Sequence, residues 1–217
     1  MGHIKIKDRI IRINSSGDFQ APVKRAAKIL FSGGIIAYPT ETFYGLAVDS
    51  TNEKAIKRLF LVKKRTPALP ILILIPSVNV LCRYVRRIPE IGNKLINKFW
   101  PGGLTIIFEA DQKVSPLLTA GSGKIGVRLS NHPVATALTR EIGVPVTGTS
   151  ANISGAPPCR SGLEVFISFK KGVDLILDGG KTKESPGSTI IDITVSPPQI
   201  LREGMIDKNR LMEFIAT

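Results

Sequence analysis

The sequence predicts an α/β (α+β) domain built on one twisted mixed β-sheet flanked by helices. Stretches with helical spacing, such as Val23, Ala26, Ala27 and Leu30, alternate with short apolar runs such as residues 35–38 and 71–75. The alternation is irregular and broken by prolines, as in a domain around a mixed sheet. Finally, 217 residues with 43% hydrophobic content suffice for one substantial core, and the prolines and glycines are scattered, with no linker or internal repeat. We expect a basic N-terminal strand or arm over 1–14 and a single domain over 15–217.

Residues 1–14 alternate Ile4, Ile6, Ile10, Ile11 and Ile13 with Lys5, Lys7, Arg9 and Arg12, the pattern of an edge strand or a basic arm. Pro22 opens a helix that Gly33-Gly34 ends. Residues 35–38 form a buried strand stopped by Pro39. The next segment, 39–46, mixes hydroxyls, Glu41 and two aromatics beside a strand end, where α/β proteins bind ligands; a structural turn is the alternative. A helix over 52–64, with Asn52 as N-cap, buries Ala55, Ile56, Leu59 and Phe60. Its end carries Lys63-Lys64-Arg65, cations that complement the helix dipole or rim a phosphate site. The apolar run 70–75 reads as a central strand covered on both faces.

Residues 77–87 and 89–99 read as two helices, 104–108 as a strand, and 121–126 as a flexible segment. Residues 126–129 look like a buried strand in which Arg128 is anomalous. An arginine there is costly unless it meets a carboxylate or reaches an anionic ligand. Pro133 and Gly143 delimit a helix over 134–142. The β-like run 144–146 leads into 147–155, a loop of hydroxyls, one amide and glycines. Such a loop suits a polyvalent anion, or is an ordinary turn. A weak helix near 163–169, strands at 174–178, 188–194 and 199–202, and a last helix over 208–215 complete the chain.

The net charge of +13 implies attraction to nucleotide, RNA or an acidic surface, or else a solvated basic surface. Cys82 and Cys159 show no CxxC or zinc-type spacing, the usage of a reducing cytoplasm. Apolar runs are too short to span a membrane, no signal peptide is visible, and Ile6 argues against myristoylation. Cytoplasmic localisation without membrane contact is the expectation. With only His3 and His132, the chain has no histidine relay and no metal cluster. His132 reads as a helix-start residue.

Seven blocks in order, AYPTETFYGL (37–46), KKR (63–65), FWPGGLT (99–105), GVRLSNHP (126–133), TSANISG (149–155), STIID (188–192) and ILREG (200–204), resemble the YrdC/Sua5 family of threonylcarbamoyl-AMP synthases. The resemblance is to the short form, without the C-terminal Sua5 domain, and implies the YrdC-like fold. It implies a nucleotidyltransferase that makes threonylcarbamoyl-AMP and pyrophosphate from L-threonine, bicarbonate or CO2 and ATP, with Mg2+ held mainly through ATP. The product would serve the t6A37 modification of transfer RNA, with other proteins of that pathway, and transfer RNA itself, as partners. Lys63 and Arg65 match the family's KxR motif and Ser150 and Asn152 its SxN motif, the implied catalytic set. Thr40, Arg128 and Ser150 would bind threonine; Lys63, Arg65, Asn152 and Arg202 would bind ATP, Asn152 by donating its amide to phosphate or ribose. No residue is expected to ligate a metal. Thr66, Leu69, Leu74 and Arg160 depart from the pattern. The alternatives are a non-catalytic RNA-binding protein of the same fold and a paralogue acting on carbamoyl groups.

Overall fold

Side chains alternate across a strand, so each strand presents one set of residues to each face of a sheet. In the computed structural model, which describes residues 9–14, 16–183 and 185–216, ten strands share one sheet. They are β1 (Ile10–Arg12), β2 (Ile36–Pro39), β3 (Tyr44–Ala47), β4 (Leu72–Leu74), β5 (Leu104–Glu109), β6 (Lys124–Arg128), β7 (Val146–Ser150), β8 (Leu175–Asp178), β9 (Thr189–Asp192) and β10 (Gln199–Arg202). The order is β1-β8-β2-β3-β7-β4-β6-β5-β9-β10. β1/β8, β8/β2, β4/β6 and β5/β9 pair parallel, and the remaining neighbours antiparallel. The sheet is mixed, as expected.

Among the described residues seven α-helices pack on it unevenly: α1 (Gln20–Phe31), α2 (Glu53–Lys63), α3 (Glu90–Phe99), α4 (Pro116–Thr119), α5 (Pro133–Ile142), α6 (Gly162–Phe169) and α7 (Lys208–Ala216). One face of the sheet buries Ala37, Leu46, Ile73, Ile106, Val127 and Ile191 against Leu59, Leu95, Val165 and Leu211 from α2, α3, α6 and α7. The other face sets Ile36, Tyr38, Ala47, Leu74 and Val146 against Val23 and Leu30 of α1 and Val134 and Leu138 of α5. Those two helices lie on β8 and β2. The rest of this second face holds small residues, including Gly45, Gly148 and Gly126, and there a cavity forms.

Several expectations are corrected. Residues 44–47 are the strand β3 and not a turn, because backbone pairing with β2 and β7 overrides the weak strand propensity of Gly45. Likewise 147–150 lie within β7, so only 151–155 remain a loop. The helix expected at 77–87 is a 3-10 turn over Val78–Arg83 that fully buries Leu81 alone, too little to anchor an amphipathic α-helix. Part of the segment expected to be flexible at 121–126 is ordered as the start of β6, paired with β5. Of the N-terminal arm, Ile10–Arg12 form an edge strand parallel to β8, while residues 1–8 lie outside the described part. Among the described residues no helix is long and apolar enough to cross a membrane.

Candidate functional site

A cavity of about 270 Å³ opens on the second face, over β3, β7, β4, β6 and β9. That is close to the lower end of ligand pockets, which run from about 300 Å³. Its floor is low because glycines face it: a Cβ on Gly148 would fall inside the Leu72 side chain, and one on Gly45 would lie 3.1 Å from the Tyr38 ring. Thr40, Arg65, Arg128, Ser150 and Arg202 all line this one cavity. Residues far apart in the chain, from strand ends of one sheet and from the end of α2, are thus brought together. Lys63 and Asn152 stand behind the wall.

The KKR segment separates its three side chains by a backbone device. Lys64 caps α2 in the left-handed region (φ 51°), so Lys63 points into the core while Arg65 turns to the cavity. Lys63 is 1% exposed, and its ammonium donates to the Ser150 and Asn152 carbonyls and, at 3.3 Å, to Asn152 Oδ1. Burial, with the Arg65 charge adding to it, pulls this ammonium down to about 7. The three oxygens it serves favour the charged form. Lys63 therefore ties the end of β7 to α2 from below. Arg65 is braced by donating to Leu69 O (3.3 Å) and Pro70 O (2.7 Å), and burial lowers its pKa.

Asn152 shapes the loop. Its Oδ1 accepts from Ser150 Oγ at 2.6 Å, and both amide hydrogens are taken by backbone carbonyls, Ile153 O at 3.0 Å and Ala156 O at 2.7 Å. Here the amide donors are engaged inside the turn, and Ser150, held by Asn152, lines the cavity. The hydroxyl of Thr40 is likewise shared with the Phe43 carbonyl (2.7 Å) and Thr42 Oγ1 (3.0 Å).

Arg128 meets the carboxylate half of the sequence expectation. It has a carboxylate beside it, Glu41 at 3.8 Å, and it also lines the cavity. Arg202 grips Ser188 by donating to its carbonyl (2.7 Å from Nη2) and hydroxyl (2.9 Å). Ser188, bonded in turn to Thr105 Oγ1, and Tyr38 are cavity residues that the sequence reasoning did not assign to the site. Both lie in the motif blocks, which was the available signal. Among the described residues no carboxylate lines the cavity, so the arrangement there is a set of cations and hydroxyls able to hold and align anions. Among the described residues no three His, Cys, Asp or Glu side chains gather to hold a metal.

The profile of the Sua5/YciO/YrdC family, described as telomere recombination, matches residues 28–204. A Pyrococcus abyssi protein named threonylcarbamoyl-AMP synthase is 37% identical over 193 residues, covering 89% of this chain and 57% of that protein. One of the same name from Bacillus subtilis is 34% identical over 194 residues, covering 89% and 56%. The crystal structure of Pyrococcus abyssi Sua5 complexed with L-threonine is similar with a TM-score of 0.91 and 34% identity, over 95% of this chain and 60% of that one. The chain thus spans little more than half the length of these relatives.

Proposed function

The chain belongs to the Sua5/YciO/YrdC family, and from that premise we propose that it is an L-threonylcarbamoyl-AMP synthase, a nucleotidyltransferase acting on L-threonine, bicarbonate or CO2 and ATP. The observation that carries this reading is the convergence of Arg65, Arg128 and Arg202 with Thr40 and Ser150 on one cavity. The threonine amine adds to CO2, losing a proton, and the carbamate oxygen then attacks the α-phosphorus while the bond to pyrophosphate breaks. No protein nucleophile is required. The protein must bring two anions within reach of each other and offset their repulsion, which is work for guanidinium groups and neutral donors in a partly dry site.

In this reading Arg128, with Thr40 and Ser150, takes the threonine end. Arg65 and Arg202 take phosphate oxygens, for which the planar guanidinium offers paired donors. Lys63 and Asn152 act from behind by fixing Ser150. With no carboxylate in the lining among the described residues, a Mg2+ ion would enter on the triphosphate, where it supplies charge neutralisation. The product is the activated threonylcarbamoyl group for t6A37 modification of transfer RNA in the cytoplasm.

The test is pyrophosphate release with ATP, L-threonine and bicarbonate, omitting each in turn. All three should be required, and L-serine should be a poor substitute, because a missing methyl costs about 1–3 kcal/mol in a fitted pocket. Equal rates without bicarbonate, or with serine, overturn the proposal.

A further inference from the structure

The three arginines of the cavity are not equivalent. Arg65 donates to the Leu69 and Pro70 carbonyls, and Arg202 to the carbonyl and hydroxyl of Ser188. Among the described residues these partners are neutral and leave the full positive charge facing the cavity. Arg128 instead stands against the Glu41 carboxylate, with Nε 3.8 Å from Oε1 and side-chain exposures of 7% and 10%. At that distance the two are ion-paired without a hydrogen bond, and neither Nε nor Oε1 has a hydrogen-bond partner among the described residues. Glu41 is fixed through its other oxygen, which accepts from Ser130 Oγ at 2.6 Å. The buried Tyr38 hydroxyl, also without a partner there, flanks the pair. Arg128 and Arg202 sense each other: Arg202 is lowered by burial first and by the Arg128 charge second.

We propose that Glu41 is a specificity-determining residue that sorts the two anionic substrates along the cavity. The inference rests on the synthase reading above. A polyphosphate moves to the highest positive potential, whereas a carboxylate needs only one positive group and oriented N–H donors. By neutralising Arg128, Glu41 removes the potential at that end but leaves the outward guanidinium donors in place. The polyphosphate then settles on Arg65 and Arg202, and the Arg128 end is kept for the amino acid. Without Glu41 the cavity would hold three uncompensated cations, and the more highly charged substrate would spread over the threonine subsite.

Glu41→Gln tests this, since it keeps the side-chain shape and an oxygen for Ser130 while removing the charge. L-threonine and inorganic tripolyphosphate, which carries the charge of the nucleotide tail without the nucleoside, are titrated singly and together at two ionic strengths. In the parent the two should bind without competing. In Glu41→Gln tripolyphosphate should bind about tenfold more tightly at low salt, as expected for one uncompensated charge in a partly dry site, with a steeper salt dependence. It should now compete with threonine, and adding Arg128→Met should abolish the gain. Glu41→Asp, which draws the carboxylate back by one methylene, should give a smaller change in the same direction, and serves if Glu41→Gln does not fold. Unchanged or weaker tripolyphosphate binding in folded variants, with threonine still binding independently, overturns the sorting role alone. A parent that binds neither probe overturns the synthase reading as well.

Discussion

Replacing Asn152 by alanine removes the side chain on which the cavity loop is hung. Four hydrogen bonds go with it: Oδ1 to Ser150 Oγ (2.6 Å) and Lys63 Nζ (3.3 Å), and Nδ2 to Ile153 O (3.0 Å) and Ala156 O (2.7 Å). They are unequal. The Lys63 contact is long, and Lys63 keeps two backbone carbonyls without it. Ala156 is exposed, so its carbonyl recovers water. The loss that counts is the acceptor of the Ser150 hydroxyl, together with the two bonds that close the turn. Taken at about 1 kcal/mol each, with the Ala156 bond counting for less because its carbonyl returns to water, the three sum to about 2–3 kcal/mol. In a chain of this size that lowers the melting temperature by roughly 5–10 °C. Ser150, no longer pinned, should also cost about ten- to hundredfold in pyrophosphate release per folded molecule, measured at 25 °C where the variant is folded. Asn152→Asp keeps the acceptor toward Ser150 and Lys63 but loses both donors, and should melt between the parent and the alanine variant. An alanine variant that melts with the parent would refute the reasoning, because the amide would then not be what holds the loop.

Lys63→Met should flatten the pH dependence of stability. The folded-state value of Lys63 is depressed to about 7, below its unfolded value, so between these values the unfolded chain binds more protons and parent stability rises with pH. Urea unfolding from pH 7 to pH 10 should show this rise in the parent and a weaker one in the variant; equal slopes would discount Lys63 as a buried titrating group. Arg65→Lys should raise the KM for ATP about tenfold, because an ammonium cannot brace on Leu69 O and Pro70 O and still present a fork to phosphate; an unchanged KM at low and high salt would leave Arg65 a helix-end cation. Gly204→Ala should destabilise by about 2–4 kcal/mol in chemical denaturation. Its added Cβ would lie 2.5 Å from the Ser188 carbonyl carbon and 2.6 Å from Thr189 N, both backbone, and would push the chain beside Arg202 away from β9; a variant as stable as the parent would show that this contact yields freely.

What the sequence determined by itself is local. Periodicity and end signals placed α1, α2, α3, α5, α6 and α7, because an amphipathic stripe and a stop such as Gly143 are written within a dozen residues. Its motif blocks also held the polar side chains that line the cavity, and the cost of burying Arg128 pointed to a partner carboxylate or a ligand before Glu41 was located. Tertiary structure decided what depends on strand pairing and on which face a residue meets. β3 and the extension of β7 exist because neighbouring backbones complete their hydrogen bonds, which no property of Gly45 or Gly148 alone announces. The pairing of Glu41 with Arg128 joins a turn after β2 to a strand more than eighty residues on. Lys63 and Arg65 stand two residues apart, yet one is buried beneath β7 and the other faces the cavity. That division is set by the left-handed turn at Lys64 and by the carbonyls waiting at the end of β7 and in the loop after it. It becomes visible only once α2 is packed against the sheet.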